Sequence, residues 1–166
     1  MNPNTSIWQR RARHRHAGFS LVEVLIVVAI ILIIAAIAIP QYLKSRMMAN
    51  ESSAVSSIRA LCTANVLYER NYQNGYAPTL PALGPPPGVG PPSAASADVL
   101  DPLVAGGIKS GYQFTYAQTG GGSGFVAHAN PISPAQTGNR FFYVDQSMVI
   151  RFETVGPATV ASPPVQ

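Results

Sequence analysis

Cysteine, histidine and charge are all scarce in this sequence, and each shortage removes a class of function. Cys62 is the one cysteine in 166 residues. That excludes an intramolecular disulfide, and with it the cysteine framework of many small exported domains, without fixing a compartment. Within a helical apolar pattern, Cys62 reads as a small core residue. From Phe19 onward the only histidine is His128, so a His/Cys zinc cluster has no ligand set. His128 itself sits in an alternating stretch and reads as one face of a strand rather than a base. No H-E-x-x-H, G-x-S-x-G or Walker sequence occurs. The Gly120–Gly124 run lies between two strand-like segments and reads as a turn, not a nucleotide loop. Asp98, Asp101, Asp145 and Glu153 lack the spacing of a calcium loop and read as solvated turn and surface carboxylates. Tyrosine and phenylalanine recur at helical or alternating spacing, the pattern of a core rather than of a conduction path. The expectation is a protein that is not an enzyme and holds no metal or cofactor.

Charged residues make up 11% of the chain, less than half the roughly 25% of an average soluble domain. The formal charge of +4 is unevenly spread. Arg10, Arg11, Arg13 and Arg15 precede Phe19, and from there seven Lys/Arg balance seven Asp/Glu. The basic character therefore belongs to the first residues. The remainder carries no electrostatic footprint for nucleic acid.

What the sequence does have is a long apolar run. Residues 24–39 contain no polar side chain, and Phe19 to Pro40 is a stretch of 22 residues with one charge, Glu23. As a helix it measures roughly 30 Å, the thickness of a bilayer's hydrocarbon core. The arginine cluster is expected to stay cytoplasmic, which places the C-terminal part outside, although Lys44 and Arg46 flank the far end. A cleaved secretory signal is one reading, with Ala36-Ile37-Ala38 as its cleavage site. A plain membrane anchor is another. Neither accounts for Glu23, because a carboxylate in a membrane span is costly unless it finds a partner.

The junction Gly18-Phe19-Ser20-Leu21-Val22-Glu23, leading into an apolar helix that ends Ala38-Ile39-Pro40-Gln41, resembles the class III signal of type IV pilins and type II secretion pseudopilins. The resemblance covers about thirty residues and is architectural beyond residue 45. It implies cleavage after Gly18 by a prepilin peptidase and methylation of the new amine on Phe19. It also implies a helix kink at Pro40 and a register role for Glu23 in assembly. Cleavage leaves a positive amine one helical turn from Glu23. In a filament built from such helices, a neighbour's amine can pair with the buried carboxylate and set the axial stagger, a use in which buried ion pairs are well attested.

Beyond Pro40, Leu43, Met47, Ala54, Ile58, Leu61, Tyr68 and Tyr72 recur at three- and four-residue spacing, widened by Val55, Cys62 and Val66. Asn50, Glu51 and Asn65 fill the gaps. This predicts an amphipathic helix that stops near Asn74-Gly75. From Tyr76 to Pro102 there are eight prolines, which predicts a long surface loop with polyproline II stretches. The segment Asn74–Leu80 resembles the post-helix stretch of major pseudopilins. Then the period becomes two. Strands are predicted over Tyr112–Ala117, Phe125–Ala129, Arg140–Val144 and Val149–Val155, with Asp145-Gln146-Ser147 as a tight turn. An antiparallel meander follows, one face on the helix and the other wet.

The fold class expected is α+β: a long N-terminal helix packed on a C-terminal antiparallel sheet, the pilin fold. The organisation is a cleaved basic leader (1–18), a transmembrane and filament-core helix (19–40), an amphipathic helix (41–74), a Pro-rich surface loop (75–110), a β-meander (111–156) and a flexible tail (157–166). The resemblance implies a structural subunit of a type IV pilus, serving adhesion, motility or DNA uptake by the fibre. The alternative is a pseudopilin of a type II secretion system, and a membrane-anchored enzyme or binding domain is a distant third. Implied partners are the prepilin peptidase/methyltransferase, identical subunits, an inner-membrane assembly platform with its cytoplasmic ATPase, and the lipid bilayer before assembly. The precursor is expected in the inner membrane, and the mature form in an extracellular pilus or periplasmic pseudopilus.

Overall fold

Between Leu21 and Asn74 the sequence has no glycine and a single proline, and it forms one helix, α1 (Leu21–Tyr72). The computed structural model describes residues 18–165. The basic leader Arg10–Arg15 lies outside the described residues. The chain divides into two units, one ending at Ile39 and the other running from Pro40 to Gln166.

In the first unit α1 starts on Ser20, whose carbonyl accepts the N–H groups of Glu23 and Val24 at 3.1 and 3.2 Å. None of its apolar side chains is buried: Ile26, Ile30, Ile33 and Ile37 are all more than half exposed. A helix that is apolar on every side belongs in apolar surroundings. This helix is long and apolar enough to cross a membrane, with a mean hydropathy of 3.3 over its most apolar 18 residues.

In the second unit, α1 buries one stripe: Glu51, Ala54, Val55, Ser57, Ile58, Leu61, Cys62, Ala64, Asn65 and Tyr68. Two residues predicted for that stripe lie elsewhere, since Val66 is 43% and Leu43 49% exposed. Two that were assigned to the gaps, Glu51 and Asn65, are inside. Asn65 is wholly buried because each of its groups is matched. Its Nδ2 donates to the Leu61 carbonyl at 3.2 Å. Its Oδ1 accepts the Ala77 N–H at 3.3 Å and the Tyr116 hydroxyl at 2.8 Å. One amide thus ties helix, loop and sheet together.

The helix ends where Gln73 and Gly75 take positive φ angles of 50° and 74°. Gly75 is constrained twice, because a Cβ there would lie 2.3 Å from the Gly122 carbonyl oxygen. That close approach lets the Tyr76 N–H donate to the same oxygen at 2.9 Å.

The segment expected as a surface loop (75–110) departs from that reading. Ala77, Leu80, Ala82, Leu83, Ala97 and Leu100 are all buried and join the core cluster. A 3-10 turn, Pro81–Leu83, is paired with the returning chain: Ala97 N–H donates to Ala82 O, Asp98 N–H to Gly84 O, and Val99 and Leu100 N–H to Leu83 O. The longest continuously exposed stretch of the segment is 87–95. Periodicity could not reveal this, because the buried residues follow turns rather than a regular face. A short helix, α2 (Pro102–Ala105), is capped by Asp101, whose Oδ1 accepts the N–H groups of Leu103 and Val104.

Five strands form an antiparallel meander in chain order: β1 (Ile108–Lys109), β2 (Tyr112–Thr119), β3 (Gly124–Pro131), β4 (Phe141–Asp145) and β5 (Arg151–Glu153). β1 was not foreseen; two residues are too few to show a period. Alternation sends Tyr112, Phe114, Phe125, Ala127, Ala129, Phe142 and Val144 into the core with α1. Register places Phe114 opposite Ala129 and Ala129 opposite Phe142, so Ala129 sits between two rings. The other face carries the row Thr115, His128, Tyr143, Arg151. It is less wet than predicted, since Tyr143 and Asp145 are each 8% exposed.

The tail expected to be flexible (157–166) is pinned through Val165. Ala158 and Ser162 are buried. Phe152 N–H donates to Pro163 O at 3.0 Å and Val165 N–H to Ile150 O at 2.8 Å, while Arg151 Nη1 donates to Ser162 O at 2.9 Å. The edge of β5 leaves backbone groups in need of partners. Proline, which lacks an N–H, still supplies a carbonyl.

Candidate functional site

The candidate site is the N-terminal junction. Gly18 is exposed with open space around its α-carbon, and Phe19 is 75% exposed, so the peptide between them is accessible. Two residues later α1 begins, with Glu23 in its first turn. A carboxylate there faces the unsatisfied N–H groups and positive end of the helix dipole, a favourable position. Glu23 is exposed and has no ion-pair partner among the described residues. Pro40 lies inside α1, and the helix is continuous through it. Gly18, Phe19 and Glu23 are therefore together at one end of the helix, and Pro40 closes the apolar run.

Elsewhere the polar and nucleophilic groups have structural surroundings. Cys62 is buried, and burial pushes its thiol up to about 11, which makes it inert as a nucleophile at neutral pH. Burial lowers the pKa of His128, whose ring packs edge-on against Tyr143 at 5.3 Å. Burial alone would raise Asp145, but hydrogen bonds from the Ser147 hydroxyl and N–H hold it below the usual carboxylate range. Asp145 thus closes the turn expected at 145–147. Asp101 is committed to capping α2 and to Lys109 at 3.5 Å. Asp98 and Glu153 do not join these into a cluster: among the described residues no three His, Cys, Asp or Glu side chains are placed to hold a metal ion.

The sequence reading missed one functional-looking pair, Glu51 and Arg140. Glu51 Oε2 accepts from Arg140 Nε at 2.7 Å. Its Oε1 accepts the N–H groups of Asn139 and Arg140 at 2.8 and 3.3 Å. The guanidinium is stacked over Phe142 and Phe152, 5.6 and 5.5 Å from the ring centroids. The partners are 89 residues apart, so no local signal joins them.

Residues 13–39, which contain the whole Gly18–Glu23 junction, match the prokaryotic N-terminal methylation motif. The chain is 48% identical to the type IV major pilin protein PilA of Myxococcus xanthus (strain DK1622) over 54 residues, 32% of this chain and 24% of that one. It is 32% identical to the type II secretion system core protein G of Escherichia coli (strain K12) over 102 residues, 61% of this chain and 64% of that one. It thus spans about a quarter of one curated relative and just under two thirds of the other. No solved structure is significantly similar to it. The methylation motif thus opens a long apolar helix that packs beyond Pro40 on an antiparallel sheet, and the chain is similar to a type IV major pilin over 54 residues and to a type II secretion core protein over 102.

Proposed function

We propose that this chain is a structural subunit of a type IV pilus, held in the inner membrane as a precursor and polymerised through its N-terminal helix into a surface filament. The observation that carries the reading is the first unit. It is an apolar helix with no buried face, one carboxylate in its first turn, and an accessible Gly18–Phe19 peptide in front of it. Such a surface is stable in a bilayer or against other copies of itself, and assembly exchanges one for the other. In this reading a prepilin peptidase cuts after Gly18 and methylates Phe19. Glu23 pairs with the amine of a neighbouring subunit and fixes the stagger, and Pro40 loosens the helix where the span ends. The assembly platform and its ATPase drive the transfer. The chain acts by assembling, not by catalysis. Adhesion, motility or DNA uptake is then a property of the fibre.

One observation favours a second reading, a pseudopilin of a type II secretion system. The similarity to core protein G runs over 102 residues, more than α1 alone supplies. Against it stands the displayed Pro87–Ala95 segment, which suits an exposed fibre surface better than a short periplasmic one. Mass and N-terminal analysis of the chain from sheared surface fibres tests the proposal. The expected result is a subunit that begins at a methylated Phe19. A mature start at Ile39 would show a secretory signal instead, and recovery from the periplasm without surface fibres would favour the pseudopilin.

A further inference from the structure

Immediately beyond the apolar run, α1 and the turn before β4 enclose an open groove of about 440 Å³, lined by Lys44, Met47, Met48, Glu51, Asn139 and Arg140. Residues 44, 47, 48 and 51 fall on one face of the helix by their i, i+3, i+4, i+7 spacing. The facing wall is fixed to them. Asn50 Nδ2 donates to the Thr137 carbonyl at 2.9 Å, and Glu51 accepts both backbone N–H groups of Asn139 and Arg140. Arg140 is pre-set as well: Nε is spent on Glu51 and two phenyl rings hold the guanidinium plane. Its Nη groups have no hydrogen-bond partner among the described residues, and its side chain is 37% exposed. Lys44 likewise has no ion-pair partner among the described residues. Two cations against one acid leave the groove net positive.

We infer that this groove holds the phosphate of an anionic phospholipid, with Lys44 and Arg140 as its cationic contacts and Met47 and Met48 against the glycerol and upper acyl chain. This rests on the reading of residues 19–39 as a membrane span. Lys44 is four residues past Pro40, about 6 Å along the helix, which is the depth of the headgroup layer outside a hydrocarbon core. A lysine at the outer end of a span opposes the usual charge bias; a headgroup site gives it a role. The unbranched thioethers of methionine adapt to an irregular apolar ligand. Tyr42, 66% exposed on the same stretch, adds the interfacial aromatic that commonly marks this depth.

The test uses the full processed chain in mild detergent and native mass spectrometry with phosphatidylglycerol or phosphatidylcholine added. Phosphatidylglycerol should be retained about fivefold better than phosphatidylcholine, the factor that one near-surface cation contributes on an anionic interface. Lys44→Gln should abolish that preference. Arg46→Gln, which lies about 200° around the helix, should keep it, and millimolar glycerol 3-phosphate should not displace the lipid. The proposal is overturned if the two lipids are retained equally, or if the two variants lose the preference alike. It is also overturned if glycerol 3-phosphate competes, which marks a soluble-anion site, or if Lys44→Gln instead weakens self-association, which assigns the groove to a second copy. Flotation of the unaltered chain with neutral vesicles separates the two ideas. Failure to float removes the membrane span itself, whereas flotation without lipid preference removes only the headgroup site.

Discussion

The two stretches of α1 on either side of Pro40 share a backbone conformation and obey different rules. Before Pro40, leucine, isoleucine and valine point in every direction and none is buried; beyond it, Ile58 and Leu61 have no exposure at all. The richer apolar segment therefore contributes nothing to the core described here, and the poorer one provides most of the helix face of that core. Hydrophobic content drives burial only where the apolar residues converge on a stripe that another element can cover. Where they surround the helix, the cover must come from lipid or from other chains. Charge follows the same division. Glu23 has no ion-pair partner among the described residues, while Glu51 is satisfied by Arg140 and two backbone N–H groups.

The largest expected effect sharpens this comparison at Glu23. Glu23→Ala makes the span more apolar, so precursor should enter the membrane fraction at least as well and be processed. The second unit should keep its stability. A neighbour's amine left unpaired in a filament core costs roughly 3–5 kcal/mol per contact, enough to suppress polymerisation. Abundant processed subunit with few fibres is the expected outcome; fibres at wild-type number would remove Glu23 from the register role.

Core truncations come next and compare the two units directly. Leu61→Ala and Leu83→Ala each empty a fully buried site and should lower unfolding stability by about 2–5 kcal/mol. Leu25→Ala, at a position 63% exposed, should leave the same transition in place. Deleting Pro85–Pro92, of which only the first two residues are partly covered, should likewise keep a cooperative thermal transition in the soluble portion from residue 44 onward. Equal sensitivity of Leu83 and the deleted prolines would mean that the loop does not divide into a buried base and a displayed tip.

The smallest effect is a pH dependence confined to the second unit. Burial lowers the proton affinity of His128 below its ordinary value of 6.5, so the unfolded chain takes up a proton more readily. Stability from this group is complete above pH 6.5 and is lost as pH falls through the folded-state pKa. Asp145, also lowered, adds a loss of the same sign at more acidic pH. The thermal midpoint should fall between pH 7 and 5, and His128→Gln should flatten that slope. A slope unchanged by the substitution would show that His128 is solvated.

The sequence by itself determined the N-terminal helix, its apolar character, the Gly18–Glu23 junction and the meander, because each is written in local order: an uninterrupted run, a fixed spacing, a period of two. It also located the end of α1, since Asn74-Gly75 is a stop that needs no tertiary information. Only the tertiary structure decided which polar residues are inside and which loop residues are core. Asn65 and Glu51 look like surface breaks in the helical stripe until Ala77, Tyr116 and Arg140 arrive from 12 to 89 residues away to satisfy them. Leu83 and Ala97 carry no period, and it is backbone pairing within the 82–100 loop that folds them inward. The tail appears featureless until the open edge of β5 supplies donors for its carbonyls. Periodicity reports how a segment repeats along itself. Burial of a polar group depends on a partner brought from far along the chain, and that is settled only when the segments meet.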